Sequence, residues 1–175
     1  MTQNLLFTGD YTIRLAQRDD LPAIVAIYNE TIEGRMVTAD TSPVTVEERE
    51  PWFASHHEKR PIFTVQEGQN TVAWLSFKSF YGRPAYDGTV EVSIYITKAA
   101  HGRGLGRTLL LFAEQHAPTI GIHTLLGFIF SHNLPSMKLF ERLGYALWGQ
   151  LPNVAMMDGK EFSLSILGKR LVESV

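Results

Sequence analysis

The feature that most constrains the fold is a strand, a glycine-rich turn and a helix that follow one another without interruption. Residues 89–96 alternate apolar and polar side chains with the two-residue period of a strand. Apolar side chains then recur at helical spacing over residues 105–113. The turn between them contains Gly102, Gly104 and Gly106. Because the first N–H groups of a helix lack intrahelical partners and glycine lets an anion approach them, this junction predicts a site for a phosphate-bearing cofactor.

Two common phosphate-binding motifs are excluded by the residues around these glycines. A P-loop ends in Gly-Lys-Ser/Thr, whereas this turn ends in Gly106-Arg107-Thr108. A dinucleotide fingerprint that began at Gly102 would need glycine at position 107. Arg103 and Arg107 add positive charge near the turn. The alternative interpretation is a tight turn that needs glycine only for its backbone geometry.

The rest of the chain predicts a mixed α/β order with a mostly antiparallel N-terminal half. Alternation predicts strands over residues 11–15, 62–67, 72–80 and 89–96, with a hairpin turn at 68–70. The nearly continuous apolar run over residues 124–130 predicts a strand covered on both faces, beside residues 89–96. Final strands are predicted over residues 145–151 and 161–167, separated by residues 152–159.

Capping residues predict where the other helices begin. Asp19 or Asp20 precedes a helix with one apolar face, and Asn133 or Ser136 precedes a short helix that Gly144 ends. A helix after a loop over residues 34–43 has the capping-box spacing of Thr45 and Glu48. We expect Pro51 to shorten, kink or restart that helix.

Composition limits the classes of function. A chain of 175 residues, 45% hydrophobic and 19% charged, predicts a single domain over residues 1–175 with its core in about 12–167. The net charge of −2 gives no general attraction to nucleic acid. The absence of cysteine excludes disulfides, thiolate metal sites and a cysteine nucleophile, and no histidine pair has zinc-protease spacing. We therefore expect no metal.

The N-terminus and the hydropathy pattern bear on location. Residues 1–7 lack a basic region followed by a long apolar stretch, and no apolar run reaches membrane-spanning length. The expectation is a cytoplasmic protein with neither a membrane nor a nucleic-acid partner.

Several spaced blocks resemble one acyltransferase family. The turn resembles the acetyl-CoA loop of the GNAT acyltransferases, Arg/Gln-x-x-Gly-x-Gly/Ala, with a histidine, His101, at the first position. Blocks at residues 27–30, 52–53, 83–86, 89–96, 133–136 and 141–145 follow in the order seen in the phosphinothricin and methionine sulfoximine N-acetyltransferase branch. The resemblance covers roughly residues 12–167. It implies the GNAT fold, a mostly antiparallel mixed sheet with splayed central strands and flanking helices.

The resemblance also implies where acetyl-CoA binds. In this family the pantetheine chain lies between the two splayed strands and the pyrophosphate lies on the glycine loop. The residues implied to contact the cofactor are Ile94, Tyr95, Ile96, Gly102, Arg103, Gly104, Leu105, Gly106, Arg107 and Asn133. From the residues alone, Asn133 is equally well explained as a helix cap.

Glu91 is the predicted catalytic residue. Amide formation needs a neutral amine, so a base must remove a proton, and a partly desolvated carboxylate on the strand before the acetyl-binding segment suits that role. Two alternatives remain open: Glu91 is a solvated surface charge, or it mainly binds the substrate ammonium.

A loop before the same strand is predicted to bind the acceptor. A planar guanidinium can hold two oxygens of a carboxylate or phosphinate, which makes Arg83 the expected anion receptor. Tyr81 and Gly82 occupy the family's substrate loop with Arg83, and Tyr86 is expected to shape the same pocket. Glu91, on the strand that follows, is also an expected substrate-binding residue. The alternative is a solvated hairpin connection.

Two departures from the family pattern affect the chemistry. Phe140 stands where relatives carry a tyrosine or histidine that protonates the departing thiolate, so Tyr145, a water or no group must serve. Residues 157–163 replace the segment Lys-Phe-Gly-Arg-Trp-x-Asp that borders the acceptor pocket in the branch.

The function implied by the resemblance is direct transfer of acetyl from acetyl-CoA to the amine of a small amino-acid-like acceptor. The implied acceptors are phosphinothricin, methionine sulfoximine and methionine sulfone, and the implied assembly is a homodimer. Two alternatives are kept: another amine acceptor, namely a polyamine, an aminoglycoside or a protein N-terminus, and a non-catalytic acyl-CoA-binding sensor.

Overall fold

A single twisted sheet forms the centre of the protein, and the computed structural model describes it over residues 6–171. The strands are β1 Leu6–Thr8, β2 Tyr11–Leu15, β3 Ile62–Glu67, β4 Asn70–Ser79, β5 Thr89–Ile96, β6 Thr124–Phe130, β7 Ala146–Met157 and β8 Lys160–Arg170. The α-helices are α1 Leu21–Glu30, α2 Val46–Ala54, α3 Leu105–His116 and α4 Leu134–Arg142. Short 3₁₀ turns occupy Arg18–Asp20, Pro84–Tyr86, Lys98–Ala100 and Ala117–Ile120. Residues 1–5, part of the segment from which location was predicted, lie outside the described residues.

The strand order confirms the predicted mixed sheet. The order across the sheet is β1-β2-β3-β4-β5-β6-β8-β7, and every described pairing is antiparallel except that of β5 with β6. The predicted bounds of β3, β5 and β6 agree with the structure. The parallel pairing covers three residue pairs, from Thr89 with Thr124 to Glu91 with Leu126. Beyond Glu91 the two strands separate.

Alternation along the central strands divides the core between the two faces of the sheet. On one face, Leu75, Phe77 and Val92 are buried against α3 and Phe140 of α4. On the other face, Trp74 is buried against α1, with partly buried side chains of α2 beside it. The helices on the second face therefore cover the same side of β5 as Glu91, because residues 91, 93 and 95 share a face.

The helix that begins after Thr45 shows the predicted cap but not the predicted interruption. The Thr45 side chain accepts a hydrogen bond from Glu48 N at 3.1 Å, and Glu48 Oε2 accepts one from Thr45 N at 2.8 Å. α2 nevertheless continues through Pro51 to Ala54, so the helix neither ends nor restarts at that residue. Pro51 lies in the second turn of a short helix, where it removes one intrahelical hydrogen bond while the turn that follows is retained.

The last two strands are longer than predicted. Residues 152–157, predicted to lie in a connection, belong to β7, and the turn is confined to Asp158 and Gly159. A bulge between Leu151 and Ala155 accommodates Pro152, and β7 is an edge strand that needs no further partner for the missing N–H. Because the pairing of β7 with β8 is irregular, the sequence of β7 does not show the two-residue alternation of a regular strand.

No helix within residues 6–171 has the length and apolar character needed to cross a lipid bilayer.

Candidate active site

The separation of β5 from β6 opens a cleft in the middle of the sheet. The cleft has a volume of about 400 Å³ and is bounded by residues 92–96 of β5 and 127–130 of β6. β5 keeps its antiparallel pairing with β4, and β6 keeps its pairing with β8. The inner edges of both strands therefore present backbone groups to the cleft, where an extended molecule can bind. Ile94, Tyr95 and Ile96 all line it, as the proposed pantetheine site requires.

Unpaired backbone donors lie where β5 leads into α3. Gly102 and Gly104 have a φ of +76°, and Gly104 is the N-cap of α3. Within the described chain, none of the N–H groups of residues 102–107 donates to a protein acceptor, and the first intramolecular bond of α3 is Thr108 N to Gly104 O at 3.1 Å. Six consecutive amides at a helix N-terminus are therefore available to an anion, and Gly106 also lines the cleft.

The side chains around this loop differ in availability. Arg103 donates to Glu67 Oε1 at 3.0 Å, Tyr11 Oη at 3.3 Å and Ala99 O at 3.0 Å, so its charge is partly neutralised and its guanidinium anchors the loop to the sheet. Arg107 is exposed and has no ion-pair partner among the described residues. His101 Nε2 lies 2.9 Å from Ile96 O. The loop thus offers its amides and Arg107, whereas Arg103 is held by the protein.

Glu91 lies at the last residue pair before the strands separate. Its neighbours in register are Lys78 on β4 and Leu126 on β6. Burial raises the pKa of the Glu91 carboxyl, and the positive charge of Lys78 opposes that shift. The carboxylate accepts no hydrogen bond from any described residue, so it is free to take a proton.

An aromatic wall that the sequence did not reveal stands beside Glu91. The Tyr95 ring stacks on Trp74, with 4.4 Å between centroids, and lies 5.2 Å from the Tyr28 ring. Trp52 of α2 contacts Trp74 edge to face at 5.4 Å. The Arg49 guanidinium carbon lies 4.8 Å from the Tyr28 ring centroid and 4.6 Å from that of Trp52. Tyr28 and Trp52 fall within blocks that resemble the family, but their meeting with β4 and β5 depends on long-range packing.

A loop after α1 closes one side of the cleft. Met36 and Val37 line the cleft, and the Met36 carbonyl accepts a hydrogen bond from Asn133 Nδ2 at 3.1 Å. Asn133 is buried, and its Oδ1 accepts from Ser136 N at 3.4 Å, so it caps α4 while it lines the cleft. Arg35 pairs with Asp158 at 2.9 Å, which links this loop to the turn between β7 and β8.

Phe140 forms part of the cleft floor through close contact with a glycine of β6. A Cβ at Gly127 would lie 2.6 Å from Phe140 Cε1, so only glycine admits the ring at this distance. Tyr145 packs edge to face behind Phe140, with 4.8 Å between ring centroids, and does not line the cleft. Burial and the charge of Glu114 raise the pKa of Tyr145. The idea that Tyr145 protonates the departing thiolate is therefore not supported, because Tyr145 packs on Phe140 outside the cleft lining and Glu114 lies near its hydroxyl.

The predicted acceptor loop lies at the other end of β5. Tyr81, Gly82, Arg83 and Tyr86 are exposed between β4 and β5, and the Arg83 side chain makes no hydrogen bond or ion pair with any described residue, although its carbonyl accepts from Tyr86 N at 2.9 Å. The loop reaches the cleft through Phe80, whose ring lies 5.7 Å from Tyr86 and 6.4 Å from Phe128, a cleft residue. The structure therefore places Arg83 near one end of the cleft without bringing it into the lining.

No cluster of three or more His, Asp or Glu side chains suited to a metal ion occurs in the part of the chain that the structure describes. The arrangement of unpaired amides, a splayed strand pair and a partly buried carboxylate is suited to holding an extended, phosphate-bearing molecule with its far end beside Glu91.

Comparisons with known proteins identify the family to which the chain belongs. Residues 13–164 match the family model described as "Acetyltransferase (GNAT) domain". The chain is 56% identical over 161 residues to the Bacillus subtilis (strain 168) protein named "Putative phosphinothricin acetyltransferase YwnH", covering 91% of this chain and 99% of that one. It is 32% identical over 158 residues to the "L-methionine sulfoximine/L-methionine sulfone acetyltransferase" of Pseudomonas paraeruginosa (strain DSM 24068 / PA7), covering 89% and 92% of the two chains.

A solved structure shows the same architecture. The structure of "yncA, a putative ACETYLTRANSFERASE from Salmonella typhimurium with its cofactor Acetyl-CoA" superposes with a TM-score of 0.86 at 28% identity, covering 95% of this chain and 96% of that one. The match of the family model over most of the chain, together with these relatives, shows that the chain belongs to the GNAT acetyltransferase family.

Proposed function

We propose that this protein transfers acetyl from acetyl-CoA to the primary amine of a small amino-acid-like acceptor, in a ternary complex. The proposal is supported by six unpaired amides beside the cleft, with Gly106 in its lining, and by the position of Glu91 directly before the β5 residues that line it. Acceptors of the phosphinothricin and methionine sulfoximine type follow from the relatives' names.

The amides of residues 102–107 hold the cofactor's diphosphate in this proposal, assisted by Arg107. The pantetheine chain then runs along the inner edge of β5, where Ile94, Tyr95 and Ile96 supply backbone partners. Because His101 Nε2 lies at 2.9 Å from the Ile96 carbonyl, a pantetheine N–H that uses this carbonyl must share or displace that contact. The free amides of residues 102–107 suit the diphosphate of acetyl-CoA, and the cleft suits its extended pantetheine chain.

Glu91 acts as the base in the proposed reaction. It takes a proton from the acceptor ammonium, the neutral amine nitrogen forms a bond with the thioester carbonyl carbon, and the carbon–sulfur bond breaks while the second nitrogen proton passes to solvent. The raised pKa of Glu91 brings its proton affinity closer to that of an amine donor at neutral pH. With Phe140 on the cleft floor, solvent protonates the departing thiolate.

Arg83 binds an anionic group of the acceptor, a carboxylate or a phosphinate, beside Tyr81, Gly82 and Tyr86 in the exposed loop. Its support is an exposed guanidinium with no described protein partner near one end of the cleft.

A thiol-release assay tests the proposed function. With acetyl-CoA, the purified protein is expected to release CoA in the presence of L-methionine sulfone, L-methionine sulfoximine or phosphinothricin. Spermidine, kanamycin and a peptide with a free N-terminus are the comparison amines. CoA release with a comparison amine, and with none of the three amino-acid acceptors, contradicts the acceptor class. Acetyl-CoA binding without CoA release for any amine contradicts catalysis and favours the acyl-CoA sensor, for which the apolar Phe140 is the supporting observation.

We further propose that the protein is a cytoplasmic homodimer. The absence of cysteine suits a reducing compartment. Edge strand β7 supplies an apolar surface for a second copy, because its large side chains are exposed: Leu147, Trp148, Leu151, Val154 and Met156. An edge strand with an apolar surface is where a second sheet can pack.

A single charge on β7 is expected to weaken this dimer. Met156 is 62% exposed, and Met156→Lys places a charge opposite Glu161 without disturbing the core. Sedimentation velocity should show a dimer for the wild type and a monomer for Met156→Lys. Leu15→Lys is the control, because Leu15 is 44% exposed near the other edge of the sheet. A wild-type monomer at micromolar concentration, or dissociation by the control alone, contradicts the proposed interface.

A further inference from the structure

Arg49 is a half-buried cation whose described surroundings provide aromatic rings but no counter-ion. Its guanidinium carbon lies between the rings of Tyr28 and Trp52, at 4.8 Å and 4.6 Å from their centroids. None of the ion pairs and hydrogen bonds found among the described side chains involves it. Contacts with ring faces stabilise a guanidinium but leave its N–H groups without acceptors, so it can still donate to an anion.

The acidic side chains close to Arg49 are already engaged. Glu48 Oε2 accepts from Thr45 N at 2.8 Å in the capping box, and Glu50 Oε1 pairs with Arg18 at 2.9 Å. Asp40 accepts a hydrogen bond from the Tyr28 hydroxyl. An arginine that is kept in a partly buried position while neighbouring carboxylates bond elsewhere is suited to an anion that arrives from outside the chain.

The position of Arg49 relative to Glu91 indicates which anion this is. Tyr28 lies 5.2 Å from Tyr95, which shares the Glu91 face of β5. The negative charge of Glu91 and the positive charge of Arg49 both act on the Tyr95 hydroxyl, the first raising and the second lowering its pKa. Arg83, in contrast, lies in the loop before Thr89, beyond Glu91 in the opposite direction along the strand. Along β5, the loop that carries Arg83 therefore precedes Glu91, whereas Tyr95, whose ring neighbours the Tyr28 ring below Arg49, follows it.

We propose that Arg49, rather than Arg83, binds the α-carboxylate of the acceptor, which leaves Arg83 to hold the sulfone, sulfoximine or phosphinate oxygens at the other end. In an α-amino acid the carboxylate is attached to the same carbon as the reacting amine. The group that binds the carboxylate must therefore lie close to the acetyl-binding segment of β5. Tyr95 belongs to that segment, and its ring contacts Tyr28, one of the two rings that hold Arg49. The inference rests on the proposed function, and it makes Arg49 a specificity-determining residue.

The test compares an acceptor with its neutral counterpart. Arg49→Met removes the charge and retains the apolar stem over the rings, and the assay uses L-methionine sulfone and L-methionine sulfone carboxamide. For Arg49→Met, kcat/KM should fall about tenfold or more with the carboxylate, through KM, and less than about twofold with the carboxamide. Arg18→Met is the matched control and should change neither value, because Arg18 is exposed and paired with Glu50.

Two outcomes overturn the assignment of Arg49. An equal loss with both acceptors shows that the residue only supports the aromatic wall, and an unchanged preference for the carboxylate shows that another group binds it. Arg49→Lys should recover part of the preference, because lysine restores the charge without the bidentate geometry.

Calorimetry separates this inference from the proposed function. L-methionine sulfone is titrated into CoA-saturated wild type and Arg49→Met. Binding by the wild type without CoA release in the assay rejects the proposed function, and loss of that binding in Arg49→Met still supports the carboxylate role. A wild type that binds no acceptor, or equal binding by both proteins, overturns the role of Arg49.

Discussion

Glu91→Gln is expected to lower kcat by about a hundredfold or more while the affinity for acetyl-CoA is unchanged, because glutamine keeps the shape of the side chain but cannot take a proton. The carboxylate is at the last paired residue before β5 and β6 separate, away from the glycine loop. Steady-state rates at saturating acceptor measure kcat, and calorimetric titration of acetyl-CoA without acceptor measures the affinity.

The pH profile identifies the role of the carboxylate. The active form is deprotonated, so wild-type kcat should rise with pH through the pKa of Glu91, which burial places above its ordinary value. Lys78→Met should move this limb to higher pH, because the Lys78 charge lowers the pKa of the same group. If Glu91 only binds the substrate ammonium, Glu91→Gln should instead raise the KM for the acceptor, and kcat of the variant should still rise with pH as it does in the wild type.

Glu91→Gln should not be less stable than the wild type at neutral pH. A carboxyl with a pKa raised by folding binds its proton more tightly in the native state than in the unfolded state. The free energy of unfolding of the wild type therefore falls as pH rises from the ordinary glutamate pKa to the raised one, whereas Glu91→Gln has no such loss. Thermal unfolding should show matching stability at acidic pH and an advantage for the variant above the raised pKa. A variant that is less stable throughout would show that Glu91 stabilises the fold.

Gly104→Ala is expected to raise the KM for acetyl-CoA by about tenfold or more. Gly104 has a φ of +76° at the start of α3, and no atom lies within 4 Å of an added Cβ. The substitution therefore strains the backbone and reorients the amides that the diphosphate needs, without a clash inside the protein.

Gly121→Ala is the matched control for this effect. Gly121 has a φ of +81°, with open space around an added Cβ, and follows the 3₁₀ turn after α3. Both variants should lose about 2–6 °C in thermal midpoint, because both force alanine into the left-handed region. Only Gly104→Ala should lose cofactor affinity. Equal KM values for both would show that the loop amides do not bind the diphosphate.

Patterns with a short period predicted the central strands well. The two-residue alternation of β5 and the apolar run of β6 reflect contacts that each strand makes along its whole length, so their bounds agree with the structure. The cap at Thr45 was predictable for a similar reason, because both of its hydrogen bonds join residues three apart.

Elements shaped by distant contacts were predicted less well. β7 continues through Pro152 because the bulged ladder with β8 accommodates the missing N–H, and neither the bulge nor the edge position is visible in the local pattern. α2 continues through Pro51 although proline disfavours a helix interior, because the hydrogen bonds on either side of it are kept. One of these joins Ser55 N to Pro51 O at 3.1 Å.

The candidate site divides in the same way. Its cofactor half is local, since the glycine loop follows β5 directly in the sequence. Its acceptor half brings Tyr28 and Arg49 from two helices to Tyr95 on a strand, and no spacing rule links residues so far apart. The charge environment of Glu91 was likewise visible only after strand pairing placed Lys78 opposite it.

The short parallel ladder between β5 and β6 also affects the protein before any ligand binds. Two strands that part after three residue pairs leave hydrogen-bonding edges in the interior of the sheet, where most folds have none. In the proposed complex, the pantetheine chain would act as a surrogate strand there and satisfy groups that are otherwise open to an intruding peptide segment. Occupancy of the cleft thus protects the protein from misassembly at its own centre, in addition to preparing it for catalysis.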